Sequence, residues 1–395
     1  MVIDFKSPKK WSYPINLVLF NLCRLWPFRN KRIWIFGARE GHQYEDNSRF
    51  LFEYLNAQTD LSKLRLIWLT NSNDVVNKVR GLGFEAHLNS SFYAKWLELR
   101  AGVAIYTNAL IDFGVFPLIG GAEIVCLWHG VGFKKAYNAK YANFEVTIKK
   151  SLDHVFSWTY RTMTTATSQW TIDWFKSIFT LNPNNIYITG QPRNDTLHNI
   201  SREKVLTQLG IDSDKRIILY LPTYRQPRLG ANAMKIILWD LYVNQDLDNV
   251  LKDTNSIFVA KLHPLTPHVN FANRENFRIL NYDEIENNQE LLAVGDVLVT
   301  DYSSTFVDFS LLNRPIIFYA PDEKDFLSKS EQLFEKFWDL QTLNKAVTPK
   351  GLSEKILYPS NIVCSATNEI FEDESIRGTC YSENVYNVIC EKIGI

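Results

Sequence analysis

Asp296-Val-Leu-Val-Thr-Asp-Tyr-Ser-Ser-Thr-Phe-Val-Asp-Phe-Ser-Leu-Leu-Asn-Arg-Pro-Ile-Ile-Phe-Tyr319 is the stretch whose reading decides the fold. Val297 to Thr300 is short, apolar and rich in β-branched residues, the pattern of a strand buried on both faces. Asp301 to Ser304 is a polar turn able to cap a helix. Phe306, Phe309 and Leu312 recur at helical spacing, Asn313-Arg314-Pro315 stops the helix, and Ile316 to Tyr319 is the next strand. The turn therefore falls at the carboxyl end of a strand, where open α/β sheets hold ligands. Ser303, Ser304 and Thr305 there offer hydroxyls and free N–H groups to an anion. A capped helix with no ligand fits the same residues.

The same alternation extends through the chain. Ile33–Phe36, Leu66–Leu69, Val103–Tyr106, Ile124–Leu127, Val155-Phe156 and Ile186–Ile188 read as strands, with helices over Ser48–Asn56, Asn73–Leu82 and Ser91–Leu99. A second series runs through Ile217–Leu221, Ile257–Ala260, Ile279-Leu280, Val297–Thr300 and Ile316–Tyr319. Between the series lies Gly190-Gln-Pro-Arg-Asn-Asp195, a turn-rich junction. The expected architecture is α/β, with two Rossmann-like, doubly wound domains facing a central cleft that would hold ligands. Its segments are 1–32, an N-terminal domain over 33–195, a C-terminal domain over 196–380, and a closing helix over 381–395. Residues 321–350 are charged and helical in pattern, as a solvated surface helix would be.

With 395 residues, more than one core is expected. Forty-three basic residues balance forty-three acidic ones, so no global field points to nucleic acid. Cys23, Cys126, Cys364, Cys380 and Cys390 are odd in number and lack a C-x-x-C pair, which argues for reduced thiols in the cytoplasm. Residues 1–32 differ from the rest: Lys6, Lys9, Lys10, Arg24, Arg29, Lys31 and Arg32 oppose only Asp4, a net charge of plus six. Ile15 to Trp26 between them is too short for a bilayer span of roughly 20 residues. On a helix, Asn16, Asn21 and Arg24 share one side and apolar residues fill the other. Such a segment either lies on an anionic membrane surface or packs on the first domain.

Two histidines each follow a strand directly. Leu127-Trp-His-Gly130, with Lys134 and Lys135 shortly after, closes one in the first series; Lys261-Leu-His-Pro264 closes one in the second. Histidine titrates near neutrality, so His129 and His263 are candidates for taking a proton from a hydroxyl or holding a phosphate. His154 precedes a strand and has no such companions. Arg193, Arg225 and Lys261 also fall at strand ends, where together with His263 they could neutralise a diphosphate without metal. No D-x-D pair or His/Cys cluster suggests a divalent-ion site, and neither G-x-G-x-x-G nor a Walker lysine occurs. The residues by themselves describe a two-lobed transferase with donor phosphates on its second lobe.

Five motifs then appear in order: Trp-His-Gly…Lys-Lys, Gly-Gln-Pro-Arg-Asn-Asp, Leu-Pro-Thr-Tyr-Arg, Lys-Leu-His-Pro and Thr-Asp-Tyr-Ser-Ser…Arg-Pro-Ile-Ile-Phe-Tyr. With Tyr44-Glu-Asp-Asn-Ser48 they resemble the CDP-glycerol glycerophosphotransferases of teichoic-acid synthesis, from about Ile33 to Tyr319. The resemblance implies a GT-B fold and transfer of glycerol phosphate, or a similar polyol phosphate, from a CDP-polyol to a polymer or lipid-linked hydroxyl of a teichoic acid or capsule. CMP is released, and no cofactor or metal is implied. It makes His129 the general base, and gives the diphosphate to His263, Arg193, Arg225 and the Ser303-Ser304-Thr305 turn, with Asp301 orienting a hydroxyl or touching the donor. With residues 1–32 on an anionic membrane surface, the expected location is cytoplasmic, peripheral on the inner face of the cell membrane.

Two departures stand out: Val131-Gly132 replaces the family's usual Thr-Pro-like pair, and the region after Tyr319 lacks its Arg-Gly signature. His263-Pro264 and Ser303-Ser304 also resemble the motifs of CMP-sialic acid transferases of capsule synthesis. Glu323 and Glu331 have the spacing of a retaining sugar transferase but follow Tyr319 rather than precede Arg314. A non-catalytic membrane-associated assembly factor is the alternative of another class.

Overall fold

Every strand pairing between named strands is parallel, and the strands divide into two sheets. The computed structural model describes residues 12–58, 63–133, 162–179, 181–225, 232–263, 266, 269, 271–272, 274–280, 284–329 and 333–395. Among them one compact unit contains 12–129, 162–193 and 374–395, and a second contains 130–133 and 194–373.

The first unit holds β1 (Asn30–Phe36), β2 (Arg65–Thr70), β3 (Glu85–Leu88), β4 (Ala101–Tyr106), β5 (Glu123–Cys126), β6 (Met163–Ala166) and β7 (Ile186–Ile188). Their order is β3-β2-β1-β4-β5-β6-β7. The helices are α1 (Ser12–Arg24), α2 (Asp46–Ala57), α3 (Asn73–Gly81), α4 (Phe92–Arg100) and α5 (Gln169–Phe179). Side chains alternate across a strand, so β1 feeds two cores. Trp34 and Phe36 pack with Phe52, Trp68 and Ile105 on one face, while Ile33 and Ile35 pack with Ile67, Leu97 and Phe113 on the other. Burial on both faces explains why these strands read as continuous apolar runs.

The second unit holds β8 (Arg216–Leu221), β9 (Ser256–Lys261), β10 (Phe277–Leu280), β11 (Val297–Thr300), β12 (Ile316–Tyr319) and β13 (Lys345–Ala346), ordered β10-β9-β8-β11-β12-β13. Helices α6 (Arg202–Leu209), α7 (Ala233–Tyr242), α8 (Gln245–Asp253), α9 (Asn288–Val294), α10 (Thr305–Ser310), α11 (Glu323–Lys329), α12 (Glu335–Leu343), α13 (Pro349–Leu357) and α14 (Ile362–Phe371) surround the sheet. Ile218, Tyr220, Val297, Val299, Ile317 and Tyr319 meet Leu238, Leu251 and Leu352 on one face. In each sheet the strand order reverses at one place, between β1 and β4 and between β8 and β11. Loops diverge there, leaving a crevice at the strands' carboxyl ends.

Several elements lack a strong sequence signal. Strand β6, Met-Thr-Thr-Ala, is half threonine, and β13 is two residues long, so neither shows an apolar run. The Val155-Phe156 strand lies outside the described residues, as do Lys134, Lys135, His154 and Glu331. The stretch over 321–350 is α11, α12 and then β13, and Phe326, Phe337 and Leu340 bury their side chains. The final helix, α15 (Tyr381–Ile393), returns to the first unit, where Val385 and Ile389 join the β1 core.

Helix α1 also packs on the first unit, through Asn16, Phe20 and Cys23, while Asn21 and Arg24 of the expected polar side stay exposed. Asn16 Nδ2 donates to the Val115 carbonyl at 2.8 Å, and Phe20 and Cys23 are buried. A Cβ on Gly120 would collide with the Phe20 carbonyl, so this approach needs glycine. Just beyond the helix, Arg29 Nη1 donates to the carbonyls of Ala101 (2.7 Å) and Glu98 (3.0 Å). Ile15, Val18, Leu22 and Leu25, spaced along one face, remain exposed.

Gly190 gives a direct test of how the last helix is seated. Its φ is +77°, and an added Cβ would lie 2.2 Å from Tyr381 Cδ1. Strain and collision together predict that Gly190→Ala destabilises the protein by about 2–4 kcal/mol. Chemical denaturation will read this as a lower midpoint, and the double variant Gly190→Ala with Tyr381→Ala is expected to recover part of the loss.

Candidate active site

His129 stands just past β5 on a strained backbone. Trp128 before it has φ +55°, in the left-handed region that a bulky side chain rarely enters. Arg39, Glu40 and Asp46 are also left-handed, at +50°, +58° and +65°. Four of the six such non-glycine residues among those described thus gather around one strand-end cluster, and strain persists only where the surroundings over-determine it.

Those surroundings are a chain of charged hydrogen bonds. Asn47 Nδ2 donates to the Trp128 carbonyl at 3.0 Å, and Asn47 Oδ1 accepts from the Arg193 N–H at 3.1 Å. Arg193 Nη1 donates to the His129 carbonyl at 3.1 Å and to Asp46 Oδ1 at 3.0 Å. Arg39 Nη2 lies 2.9 Å from Asp46 Oδ2. Asp46 is fully enclosed; burial raises its carboxyl, but Arg39, Arg193, His129 and the Asn47 N–H hold it below its usual range. His129 moves the other way. Burial, then the positive charge of Arg39, push its pKa down to about 4, against the opposing pull of Asp46. At neutral pH the imidazole is therefore uncharged and free to accept a proton. The Thr107 backbone, at the ring, joins Asp46 in opposing the downward shift.

Asp112 organises the crevice itself. Its Oδ1 accepts from the Glu40 N–H at 2.6 Å, beyond β1, and its Oδ2 from those of Thr107 (3.1 Å) and Asn108 (3.0 Å), beyond β4. Burial raises this carboxyl to about 6 despite the three donors.

In the second unit Asp301 does the same work. Asp301 Oδ1 accepts from the N–H groups of Thr223 (2.7 Å), beyond β8, and Tyr302 (2.5 Å), beyond β11. Its Oδ2 lies 2.7 Å from Arg225 Nη1. Arg225 also donates through Nε and Nη2 to both oxygens of Asp322, at 2.6 and 2.9 Å, and through Nη1 to the Thr223 carbonyl at 2.8 Å. Its guanidinium lies over the rings of Tyr302 and Phe326, which stack at 3.8 Å. Burial works against the Arg225 charge, but the two carboxylates raise its pKa. Both Asp301 oxygens and the Arg225 fork are thus engaged within the protein.

The remaining site residues fall around this knot. Ser303, Ser304 and Thr305 are half-buried, with Ser303 Oγ accepting from Thr305 Oγ1 at 3.1 Å. His263 is exposed, its ring centroid 5.4 Å from that of Tyr224, next to Arg225. Lys261 is buried, with Nζ donating to Asn288 Oδ1 at 2.8 Å. Val131 and Phe133, at the departure from the Thr-Pro pattern, are core residues of the second unit; Phe133 stacks on Phe337 at 4.6 Å.

The first unit therefore brings His129 and Arg193 together, and the second gathers Arg225, Asp301 and the hydroxyl turn. Sequence reasoning missed Arg39, Asp46, Asn47, Asp112 and Asp322 as site residues. Asp46 and Asn47 stood inside a matched motif, whereas nothing local marks Asp112. Among the described residues no group of three or more His, Cys, Asp or Glu side chains could hold a metal ion.

Comparison with known proteins identifies the arrangement. The family model described as CDP-Glycerol:Poly(glycerophosphate) glycerophosphotransferase matches residues 18–338. The teichoic acid poly(glycerol phosphate) polymerase of Bacillus spizizenii is 32% identical over 325 residues, 78% of this chain and 78% of that protein. A polymerase of the same description from Staphylococcus epidermidis is 27% identical over 73% of this chain, which spans only 40% of that longer protein. The solved structure of the wall teichoic acid polymerase TagF superposes with a TM-score of 0.74 at 20% identity, covering 98% of this chain and 97% of that one. By the family match and by its likeness to the Bacillus spizizenii enzyme, the chain belongs to the CDP-glycerol:poly(glycerophosphate) glycerophosphotransferase family.

Proposed function

We propose that this protein transfers glycerol phosphate from CDP-glycerol to a hydroxyl of a teichoic-acid-type glycerol phosphate acceptor. The observation that carries the reading is His129, uncharged and braced by Arg39, Asp46 and Arg193 in a member of this family. His129 accepts the proton of the acceptor hydroxyl as its oxygen bonds to the phosphorus bearing glycerol. The bond from that phosphorus to the bridging oxygen breaks, and CMP leaves with the electron pair. Glycerol phosphate ends on the acceptor in a phosphodiester.

In this reading the second unit binds the donor. The turn at Ser303, Ser304 and Thr305, with His263 and Lys261, supplies hydroxyls and positive charge for the diphosphate. Asp301 and Arg225 fix the loops that carry those groups, since their own polar atoms are spent on each other, on Asp322 and on backbone. Arg193 acts from the first unit through the His129 carbonyl and Asp46.

The setting we propose is the inner face of the cell membrane. Among the described residues no helix is long and apolar enough to cross a bilayer. The support is α1, whose exposed Ile15, Val18 and Leu22 are followed just past the helix by Leu25, 78% exposed, and by exposed Phe28. Arg24, Lys31 and Arg32 flank it, with no acidic residue from 12 to 32. Apolar insertion beside cations suits an anionic lipid surface.

Three measurements test this. His129→Ala is expected to lower CMP release from CDP-glycerol, in the presence of a glycerol phosphate acceptor, by ~10²–10⁴-fold while circular dichroism stays unchanged; near-normal turnover excludes the base. The acid limb of kcat/KM is expected near pH 4, because His129 becomes charged only there, well below an ordinary histidine. For the membrane, Leu22→Ser with Leu25→Ser should reduce flotation with phosphatidylglycerol vesicles several-fold, and unchanged flotation would remove α1 as the anchor.

A further inference from the structure

Arg39 has more hydrogen-bonding capacity than its protein partners use. It lies just beyond β1 at the first unit's crevice, its side chain 37% exposed. Nη2 is held by Asp46, itself shared with Arg193. Nε is enclosed yet has no hydrogen-bond acceptor; it forms only a long ion pair with Glu45 at 3.7 Å. A guanidinium carries five donors in a planar fork matched to phosphate oxygens. The backbone at Arg39 and Glu40 is held left-handed by the Asp112 contact to the Glu40 N–H and by Asn71 Nδ2 donating to the Glu40 carbonyl at 2.8 Å. Further enclosed polar atoms on the elements of this cluster also lack partners: Ser48 Oγ on α2, Thr107 Oγ1 beyond β4 and Gln191 Oε1 before Arg193. Buried polar groups are ordinarily paired, so several orphans on neighbouring elements mark a place for a polar ligand.

We propose that Arg39 binds the phosphodiester nearest the reacting hydroxyl of the acceptor, making the His129 cluster an acceptor subsite for an anionic chain end. The inference rests on the proposed acceptor being a glycerol phosphate chain. It assigns to this unit the recognition of charge, not only the removal of a proton. It also couples binding to basicity. Arg39 is the strongest single charge disfavouring imidazolium at His129; a phosphodiester against the guanidinium offsets that charge, so the base strengthens once the correct acceptor is seated. Neutral alcohols give no such gain, and discrimination arises from the same contact.

The test compares two acceptors, a short oligo(glycerol phosphate) and neutral glycerol, at saturating CDP-glycerol. In the native protein the kcat/KM ratio should favour the anionic acceptor and decline with added salt. Arg39→Gln is expected to lower that ratio roughly 10–100-fold, as loss of a charged hydrogen bond does, with Arg39→Lys intermediate. The acid limb of kcat/KM should move to higher pH in Arg39→Gln, because a charge opposing imidazolium is gone, while the KM for CDP-glycerol stays the same. A ratio unchanged in a folded Arg39→Gln protein, or an effect confined to the CDP-glycerol KM, overturns the proposal. Calorimetric titration of the oligo(glycerol phosphate) into His129→Ala and into Arg39→Gln separates this idea from the base assignment. Weakened binding only in the arginine variant sustains the subsite whatever becomes of the base; equal binding in both refutes it.

Discussion

Two buried aspartates hold open the two crevices on which the rest of the structure depends. Where parallel strands part company at the point of reversal, the N–H groups of the departing loops lose their ladder partners. Asp112 collects those beyond β1 and β4, and Asp301 collects those beyond β8 and β11. Each carboxylate thereby fixes the separation of two loops at the strand ends. The device is the same in both units although the residues around it differ.

The neighbours of each aspartate set its character. Asp301 is matched by Arg225, which Asp322 clamps from the other side beneath the stacked Tyr302 and Phe326. A buried pair of this kind is rigid because removing either partner strands a charge away from water. Asp112 is met by backbone donors, and burial moves its carboxyl to about 6. The first unit places Arg39 and Arg193 on Asp46, and Arg193 also donates to the His129 carbonyl. The result is a histidine kept neutral by burial and by the cation beside it, against the pull of the nearby carboxylate.

The sequence alone made the sheets legible, because strands buried on both faces have to be continuous apolar runs, as Ile33–Phe36 and Ile217–Leu221 are. It made His129, His263 and the Ser303–Thr305 turn visible as strand-end residues. It missed β3, β6 and β13, whose burial comes from neighbours rather than from an apolar run of their own. The closing helix was foreseen as an element, but its return to the β1 core is a contact between residues some 350 positions apart in the chain, which no local period encodes.

For this protein the sequence by itself determined the element types, the strand-end histidines and, through five ordered motifs, the family. Tertiary structure alone decided what those residues are free to do. Arg225 reads from its neighbours as a loose cation and is in fact spent on two aspartates, while Arg39, in no motif, keeps donors to spare. The reason is physical: a side chain's charge is written in the sequence, but how much of it is already neutralised depends on partners that only folding brings within hydrogen-bond reach.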